Sequence, residues 1–451
     1  MYIKTPKHIE YILDKLEENG FEAYIVGGCI RDILLNKSPL DFDVTTNALP
    51  EEIEEVFYDK KIVDIGRAFG TIIVQLDEDD VEITTFRREG DYIDGRRPEL
   101  VEFVSSIEND LFRRDFTINA MAYNRKRGLV DPFNGVKDLQ RRTIRCVGEP
   151  ERRFQEDYLR ILRAIRFACV LDFEIDEDTF LAGEKYSECV SQVSMERINK
   201  ELVKILLSDT PSKGMKLLEE MGLIQIILPE FVPAIGFDQH NPHHDKDVFN
   251  HILCVVDNTP ANLKVRLAAL FHDVGKPSCF SVDEKGIGHF YDHNKVGAKI
   301  SRNALDRLKF PKDIIKDVSI LVREHMTHHS NFSDKGLKRL IRRVGEENIY
   351  DLFCLQKADR SCSNKDASID NIIETELRVK EILDKNEAYE IEQLSIDGHD
   401  LMKIGYLEGK IIGEILEYLL TRVMEKPSLN NKEKLESIAL KKFPLNQNKD
   451  D

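Results

Sequence analysis

A chain of 451 residues with Lys+Arg 65 against Asp+Glu 82 carries a net charge of −17, and 41% of it is hydrophobic and 33% charged. That length exceeds what one hydrophobic core serves, so roughly two to four domains are expected, and the composition excludes a disordered or collagen-like chain. The acidic balance excludes a protein that coats nucleic acid by bulk positive potential, but it leaves room for a local basic surface.

In chain order, residues 7–19 read as an amphipathic helix, unlike a secretory signal. The apolar run Ala23-Tyr24-Ile25-Val26 reads as a strand stopped by Gly27-Gly28. A helix is expected around Arg31 to Leu35, then a strand through Phe42-Asp43-Val44, with further strands at 71–76, 81–86 and 100–104. This mixture predicts an α+β head with helices against one face of a sheet. Past about residue 140 the strand signals largely stop. Helical periodicity then runs through 154–169, 194–208, 211–222, 247–257, 263–272, 294–309, 312–326, 334–344, 346–358, 367–384 and 409–424.

The fold expected is therefore an α+β head followed by an all-α neck, body and tail. Breaks at 227–243, 361–366 and 385–395 suggest the division 1–145, 146–240, 241–365 and 366–451, with Gln447 to Asp451 frayed. No apolar run approaches the ~20 residues that span a bilayer. The eight cysteines, at 29, 146, 169, 189, 254, 279, 354 and 362, form no CxxC pair. Such spacing fits buried or idle thiols in a reducing, cytoplasmic compartment better than a disulfide framework.

Three groups of residues carry chemistry. In Asp41-Phe42-Asp43, period 2 puts both carboxylates on one face of the predicted strand, an arrangement that is costly unless a divalent cation sits between them. Upstream, Gly27-Gly28 opens the helix bearing Arg31-Asp32, where bare N–H groups and a guanidinium suit phosphate. Together these read as a nucleotidyltransferase site.

The second group is an arginine-rich neck with Arg141, Arg142, Arg145, Arg152, Arg153, Arg160, Arg163 and Arg166. Asp157, Arg160 and Arg163 follow at i, i+3 and i+6 as a polar stripe, while Glu156 and Arg160 could equally be an ion pair on a wet helix. A carboxylate accepts from the exocyclic amine of cytosine or adenine and a guanidinium donates to the neighbouring ring nitrogen, so an Asp–Arg pair can select C and A without a template. The third group is His240, His243, His244 and His251, then His272-Asp273, His293, His325 and Asp359; imidazoles and carboxylates on several helices suit a divalent or transition metal.

The segments Val26-Gly27-Gly28-Cys29-Ile30-Arg31-Asp32 with Asp41-Phe42-Asp43, Arg113-Arg114-Asp115-Phe116 through Ala122, Asp131-Pro132-Phe133-Asn134-Gly135, Glu156-Asp157-Tyr158-Leu159-Arg160 and Glu196-Arg197-Ile198-Asn199-Lys200-Glu201-Leu202 resemble class II tRNA nucleotidyltransferases. These are the CCA-adding enzymes of the DNA polymerase β superfamily. The resemblance implies that Asp41 and Asp43 hold catalytic Mg²⁺, that Gly28 and Arg31 contact the triphosphate, that Arg114 contacts the nucleotide, and that Asp157 and Arg160 read the base, with Arg163 and Arg166 supporting base or phosphates. It implies tRNA, ATP and CTP as partners and no membrane. Glu82 is a candidate third acid. The segment from Arg88 to Pro98 looks like a full-length flexible loop, which favours complete CCA addition over addition of A alone.

Residues 245–365 resemble the HD superfamily of metal-dependent phosphohydrolases. That resemblance maps metal positions to His251, His272, Asp273 and Asp359, with His293 and His325 for a second divalent metal, and implies hydrolysis of phosphomonoesters or 2′,3′-cyclic phosphates. The stretch from Leu394 to Leu401, then Gly409 to Val423, resembles the tRNA-gripping tail of bacterial HD-containing relatives. Lys338, Arg339, Arg342 and Arg343 read as a phosphate patch or a solvated helix face. The rival expectations are an A-adding enzyme or poly(A) polymerase, an HD phosphohydrolase with a nucleotide-sensing head, and a non-catalytic tRNA-binding protein; the oligomeric state stays open.

Overall fold

Ala23–Val26 is buried at all four positions, which places it inside a sheet rather than at an edge. The computed structural model describes residues 3–76, 79–89, 101–240, 246–363 and 368–445, and the chain forms two compact units, 1–229 and 230–451. The boundary falls within the Pro-containing stretch 227–243. Gly90 to Pro98 of the expected loop, His243, His244 and Gln447 to Asp451 lie outside the described residues.

In the first unit seven strands form one mixed sheet in the order Lys61–Gly66, Thr71–Gln75, Asp80–Thr85, Asp43–Thr46, Ala23–Val26, Ala122–Asn124, Gly128–Val130. All neighbours are antiparallel except Asp43–Thr46 with Asp80–Thr85. This is the α+β head that the sequence predicts. The first and the last two strands, and the helices Pro50–Val56 and Ile107–Phe112, were not among the expected elements. Tyr24, Val26, Phe86, Ile107, Leu111, Ala120, Ala122 and Val147 form one buried cluster behind the sheet.

Register sets the site. Val26 pairs with Asp43, so the strand bearing Asp43 ends beside the residue preceding Gly27. Gly27 takes φ +82°, a left-handed conformation open to glycine, and a Cβ there would stand 2.9 Å from Arg114 Nη1. The chain then enters the helix Gly28–Leu34. Asp41 lies just before the strand rather than within it.

The helix expected over 154–169 is two helices, Pro150–Glu156 and Leu159–Leu171. Asp157 between them is extended (φ −155°, ψ 106°), and its Oδ1 accepts from the backbone N–H of Leu159 at 3.1 Å. A short carboxylate that bonds the backbone two residues on competes with the helical ladder, and here it wins. Periodicity alone does not register that competition.

The second unit is helical apart from the hairpin Phe280–Val282/Gly288–Phe290 among its described residues. Two expectations are corrected in it. Lys338 is 1% exposed, donates to Met424 O at 3.1 Å and pairs with Glu387 at 2.6 Å; Arg342 pairs with Glu390 and Glu417, and Arg343 with Glu324. Lys338, Arg342 and Arg343 tie helices together, so the four form neither a free phosphate patch nor a merely solvated face, although Arg339 and Arg343 are exposed. Secondly, Cys254 and Cys362 form a disulfide. The two cysteines sit on helices 108 residues apart in the chain that pack side by side, a proximity that sequence spacing does not reveal. The other six cysteines are free, as expected for idle thiols.

Helix Gly135–Arg141 packs on the turn Thr117–Asn119, where Thr117 Oγ1 donates to Asp138 Oδ2 at 2.7 Å. A Cβ at Gly135 would meet the Thr117 carbonyl oxygen at 2.3 Å, a backbone atom with no rotamer to move. Gly135→Ala is therefore expected to cost about 1–3 kcal/mol of stability, read as a lowered urea midpoint at unchanged slope.

Candidate active site

A cavity of about 510 Å³ opens in the first unit where the strand ends, the Gly27-Gly28 turn and the neck helix converge. Its sixteen lining residues include seven arginines (31, 87, 113, 114, 160, 163 and 197) and three aspartates (43, 115 and 157). In a chain of net charge −17 this is a concentrated cationic pocket, suited to a polyanion.

Buried carboxylates hold the guanidiniums apart. Asp110 pairs with Arg113 at 2.9 Å and with Arg114 at 3.4 Å. Burial alone would raise its carboxyl, but the two guanidiniums overcome that and hold it below the usual range. Asp115 accepts from Arg163 through both Nε (2.8 Å) and Nη2, and from Asn119 Nδ2 at 3.1 Å. Burial again opposes the charge, and Arg163 and Asn119 hold the Asp115 carboxyl far below the usual range. Arg31 donates Nη1 to Asn119 Oδ1 at 2.7 Å and pairs with Asp32 at 2.8 Å. The Phe167 ring receives three of these cations, Arg166 at 3.8 Å, Arg31 at 5.2 Å and Arg163 at 5.6 Å from its centroid.

On the strand side Asp43 lines the cavity, and its carboxyl is raised by desolvation and then by Asp41. Glu82, on the neighbouring strand, is raised by desolvation and then by Asp43 and Asp41. The guanidiniums of Arg114 and Arg87 offset these effects without cancelling them, and a divalent cation held by hard oxygen ligands would relieve the remaining repulsion.

The neck residues divide the work differently from a simple Asp–Arg pair. Asp157 is held by Arg197, whose Nη2 lies 2.7 Å from Oδ2 and Nη1 3.2 Å from Oδ1. Arg160 pairs with Glu156 and donates to the carbonyls of Arg153 (3.0 Å) and Arg113 (3.3 Å). Both line the cavity. Arg166 does not; it pairs with the buried Glu201.

A second cluster lies in the other unit. His272, His293 and His325 each direct Nδ1 to the carbonyl three residues earlier, of Ala269, Phe290 and Val322, all at 2.7 Å. A carbonyl only accepts, so Nδ1 carries the proton and Nε2 of the neutral ring keeps its lone pair. Burial and the neighbouring imidazoles hold His325 down to about 3, so it is neutral. Nε2 of His293 and Nε2 of His325 face each other at 3.3 Å, an arrangement that a shared proton or a metal ion satisfies.

Asp273, 2% exposed, stands between two sets of ligands. Its Oδ1 is 3.3 Å from His293 and 3.8 Å from His325; its Oδ2 is 3.2 Å from His272, 3.4 Å from His251 and 2.7 Å from Lys276 Nζ, yet accepts no well-directed hydrogen bond. Asp359 Oδ1 completes the first set at 3.1 Å from His251 Nε2. The ligand atoms of His251, His272 and Asp273, and those of Asp273, His293 and His325, each lie within 4.8 Å of one another. Imidazole nitrogens and carboxylate oxygens converging in this way fit a divalent metal.

Residues 23–145 match the poly(A) polymerase head domain family, 172–235 the family described as "Probable RNA and SrmB- binding site of polymerase A", and 281–439 a tRNA nucleotidyltransferase domain 2 family. The CCA-adding enzyme of Ligilactobacillus salivarius is 49% identical over 205 residues, 46% of this chain and 50% of that protein. The CCA-adding enzyme of Pediococcus pentosaceus is 33% identical over 441 residues, 98% of each chain. The chain belongs to the CCA-adding enzymes. It is accordingly a nucleotidyltransferase, of a type that uses divalent metals. The Bacillus stearothermophilus CCA-adding enzyme in complex with CTP superposes with a TM-score of 0.73 at 26% identity, over 98% of both chains. The Thermotoga maritima CCA-adding enzyme complexed with tRNA shares the fold, with a TM-score of 0.62 at 22% identity over 97% of this chain and 96% of that one. Among the described residues no helix is long and apolar enough to cross a membrane.

Of the residues singled out in the sequence, Gly28, Arg31, Asp43, Arg114, Asp157, Arg160 and Arg163 meet at the cavity, whereas Asp41 and Arg166 are not among its lining residues. Arg197, Asp115 and Asn119 were visible only as members of quoted motifs, with no role. The signal for Arg197 was its place in Glu196-Arg197-Ile198-Asn199-Lys200-Glu201, an Arg and a Glu four apart on one helix face. His240 is exposed and bonds Asp238, apart from the metal-ligand set.

The Asp115–Arg163 pair has a pH signature. Because the folded carboxyl is depressed, its stabilisation is complete above the unfolded value and is lost as pH falls, between about pH 5 and pH 2. Asp115→Asn should destabilise at pH 7 by on the order of 2 kcal/mol, discounted from the fully buried case because Arg163 keeps 34% of its side chain in water. Denaturant midpoints taken from pH 7 to 3 should then fall less steeply for the variant than for the wild type.

Proposed function

We propose that this enzyme adds and repairs the 3′-terminal CCA of tRNA, using CTP and ATP, with Mg²⁺ held by Asp41 and Asp43. The observation that carries the reading is the cavity itself, which gathers seven arginines with Asp43, whose carboxyl is raised by desolvation and then by Asp41. A divalent ion on the two aspartates supplies the charge that neutralises a triphosphate and activates an attacking hydroxyl.

The chain's own groups do the rest. Gly27 and Gly28 admit the triphosphate close to the backbone, and Arg31 and Arg114 donate to its oxygens. Asp157, oriented by Arg197, accepts from the exocyclic amine of cytosine or adenine, and Arg160 donates to the adjacent ring nitrogen. Uracil and guanine present the opposite pattern and leave both groups unpaired, which costs more than the matched bond contributes. Arg163, held by Asp115, supports the bound nucleotide, and Arg166 acts from behind through Phe167. The tRNA 3′-hydroxyl attacks the α-phosphate and pyrophosphate leaves. We read 1–145 as the catalytic head, 146–240 as the neck, 241–365 as an HD domain and 366–451 as a tRNA-holding tail, in a cytoplasmic enzyme; the length of 88–98 favours full CCA addition.

The imidazole cluster favours a second activity. His251, His272, Asp273 and Asp359, with His293 and His325, would hold divalent metal for hydrolysis of phosphomonoesters or 2′,3′-cyclic phosphates.

The test is extension of three tRNA transcripts, ending at the discriminator base, at C and at CC. Wild type should complete CCA on all three, and Asp41→Asn or Asp43→Asn should lose roughly 10²–10³-fold in rate. Addition only of A to the CC-ending transcript would make it an A-adding enzyme, and retained transfer in the Asp variants would refute the acid assignment. In parallel, Asp273→Asn should abolish any phosphatase activity while leaving extension intact; no turnover by wild type would remove the second activity.

A further inference from the structure

The disulfide and the second metal-ligand cluster share two helices. Helix Val248–Asp257 carries His251 and, three residues on, Cys254; helix Ile349–Cys362 carries Asp359 and, three residues on, Cys362. At that spacing each cysteine lies on the same helix face as its ligand, about one turn away. The sulfur bridge and the His251 Nε2–Asp359 Oδ1 contact at 3.1 Å are therefore successive rungs between the same two helices.

His272 and Asp273 are neighbours in the chain, so their mutual placement is local. His251 and Asp359 are 108 residues apart, and only the packing of these two helices sets their separation. Metal ligation tolerates displacements of a few tenths of an ångström, so whatever fixes those helices also fixes affinity. Asn258, on the first helix's end, adds a contact from Nδ2 to Cys362 Sγ at 3.4 Å.

We propose that Cys254–Cys362 is a reversible thiol–disulfide site that governs retention of divalent metal by His251, His272, Asp273 and Asp359. The proposal rests on reading that cluster as a metal site. The ligand class is a low-molecular-weight thiol and its disulfide. Cys254 is partly exposed and Cys362 is 3% exposed, so the incoming thiolate attacks Cys254 Sγ. The S–S bond breaks with its electron pair on Cys362 Sγ, which takes a proton. A second small thiol then attacks the small-molecule sulfur of the mixed disulfide, releasing Cys254 as a thiol. In sum the protein disulfide gains two electrons and two protons, and two small thiols become one small disulfide. The reverse reaction, with the small disulfide as oxidant, restores the bridge. Oxidised, the helices are clamped at the ligand spacing; reduced, they part and metal is released.

The experiment uses the full chain with Mn²⁺ as probe. Protein equilibrated with oxidised glutathione, or reduced and freed of reductant, is titrated calorimetrically, and binding absent from His272→Ala is assigned to this cluster. The oxidised form should show six titratable thiols of eight after denaturation and the reduced form eight. The reduced form should bind Mn²⁺ at the cluster about tenfold more weakly, the order lost when outer support of a ligand is removed. Cys254→Ser/Cys362→Ser should match the reduced form under either condition. CTP binding, which involves residues of 1–229, should be the same in every sample and checks that each is folded. Equal Mn²⁺ affinity in the two redox forms would overturn the coupling, as would eight titratable thiols after oxidation. Absence of His272-dependent binding in both forms would instead overturn the metal reading, and the proposal with it.

Discussion

Like charges do not gather unless something holds them, and the first unit is organised around that constraint. Seven guanidiniums share one cavity because carboxylates anchor them: Asp110 holds Arg113 and Arg114, Asp115 holds Arg163, Glu156 holds Arg160, Asp157 holds Arg197 and Asp32 holds Arg31. Exposed pairs such as Arg67 with Glu51 are screened by water and organise little. The buried pairs act differently: removing one partner strands a charge, so the arrangement holds as a unit. What remains facing the cavity is positive charge already in position, which binds a triphosphate without reorganisation.

The second unit inverts the signs. Around one buried carboxylate, Asp273, it sets four imidazoles, three of which are oriented by their own backbone with Nε2 inward. The first unit lines its cavity with guanidiniums held by carboxylates, and the second gathers candidate metal-binding groups whose rings are oriented by backbone carbonyls.

The legible part of the sequence was local. The strand, Gly-Gly turn, helix and Asp-x-Asp order predicted where Gly28, Arg31 and Asp43 meet, because register and a left-handed glycine follow from short-range pattern. The His-Asp pair with its scattered partners marked the second cluster for the same reason, through residue type. What was not legible depended on long-range packing or on competition between local bonds. The break at Asp157 comes from one side-chain bond to Leu159, and it hands that carboxylate to Arg197, forty residues away. Lys338 looked like surface charge, yet its ammonium is buried against Glu387 and Met424. Cys254 and Cys362 carried no spacing signal at all. Each of these requires knowing which helix packs on which.

The claim on which the account turns is that the cavity alone, before any tRNA arrives, selects the base. Calorimetric titration of the full chain with ATP, CTP, UTP and GTP, with Mg²⁺ and without tRNA, measures this directly. The account predicts that ATP and CTP bind and that UTP and GTP bind about tenfold or more weakly, the loss expected when buried hydrogen-bonding groups are left unpaired. Equal affinity for all four would show that the arginines hold only phosphate and that Asp157 and Arg160 do not read the base.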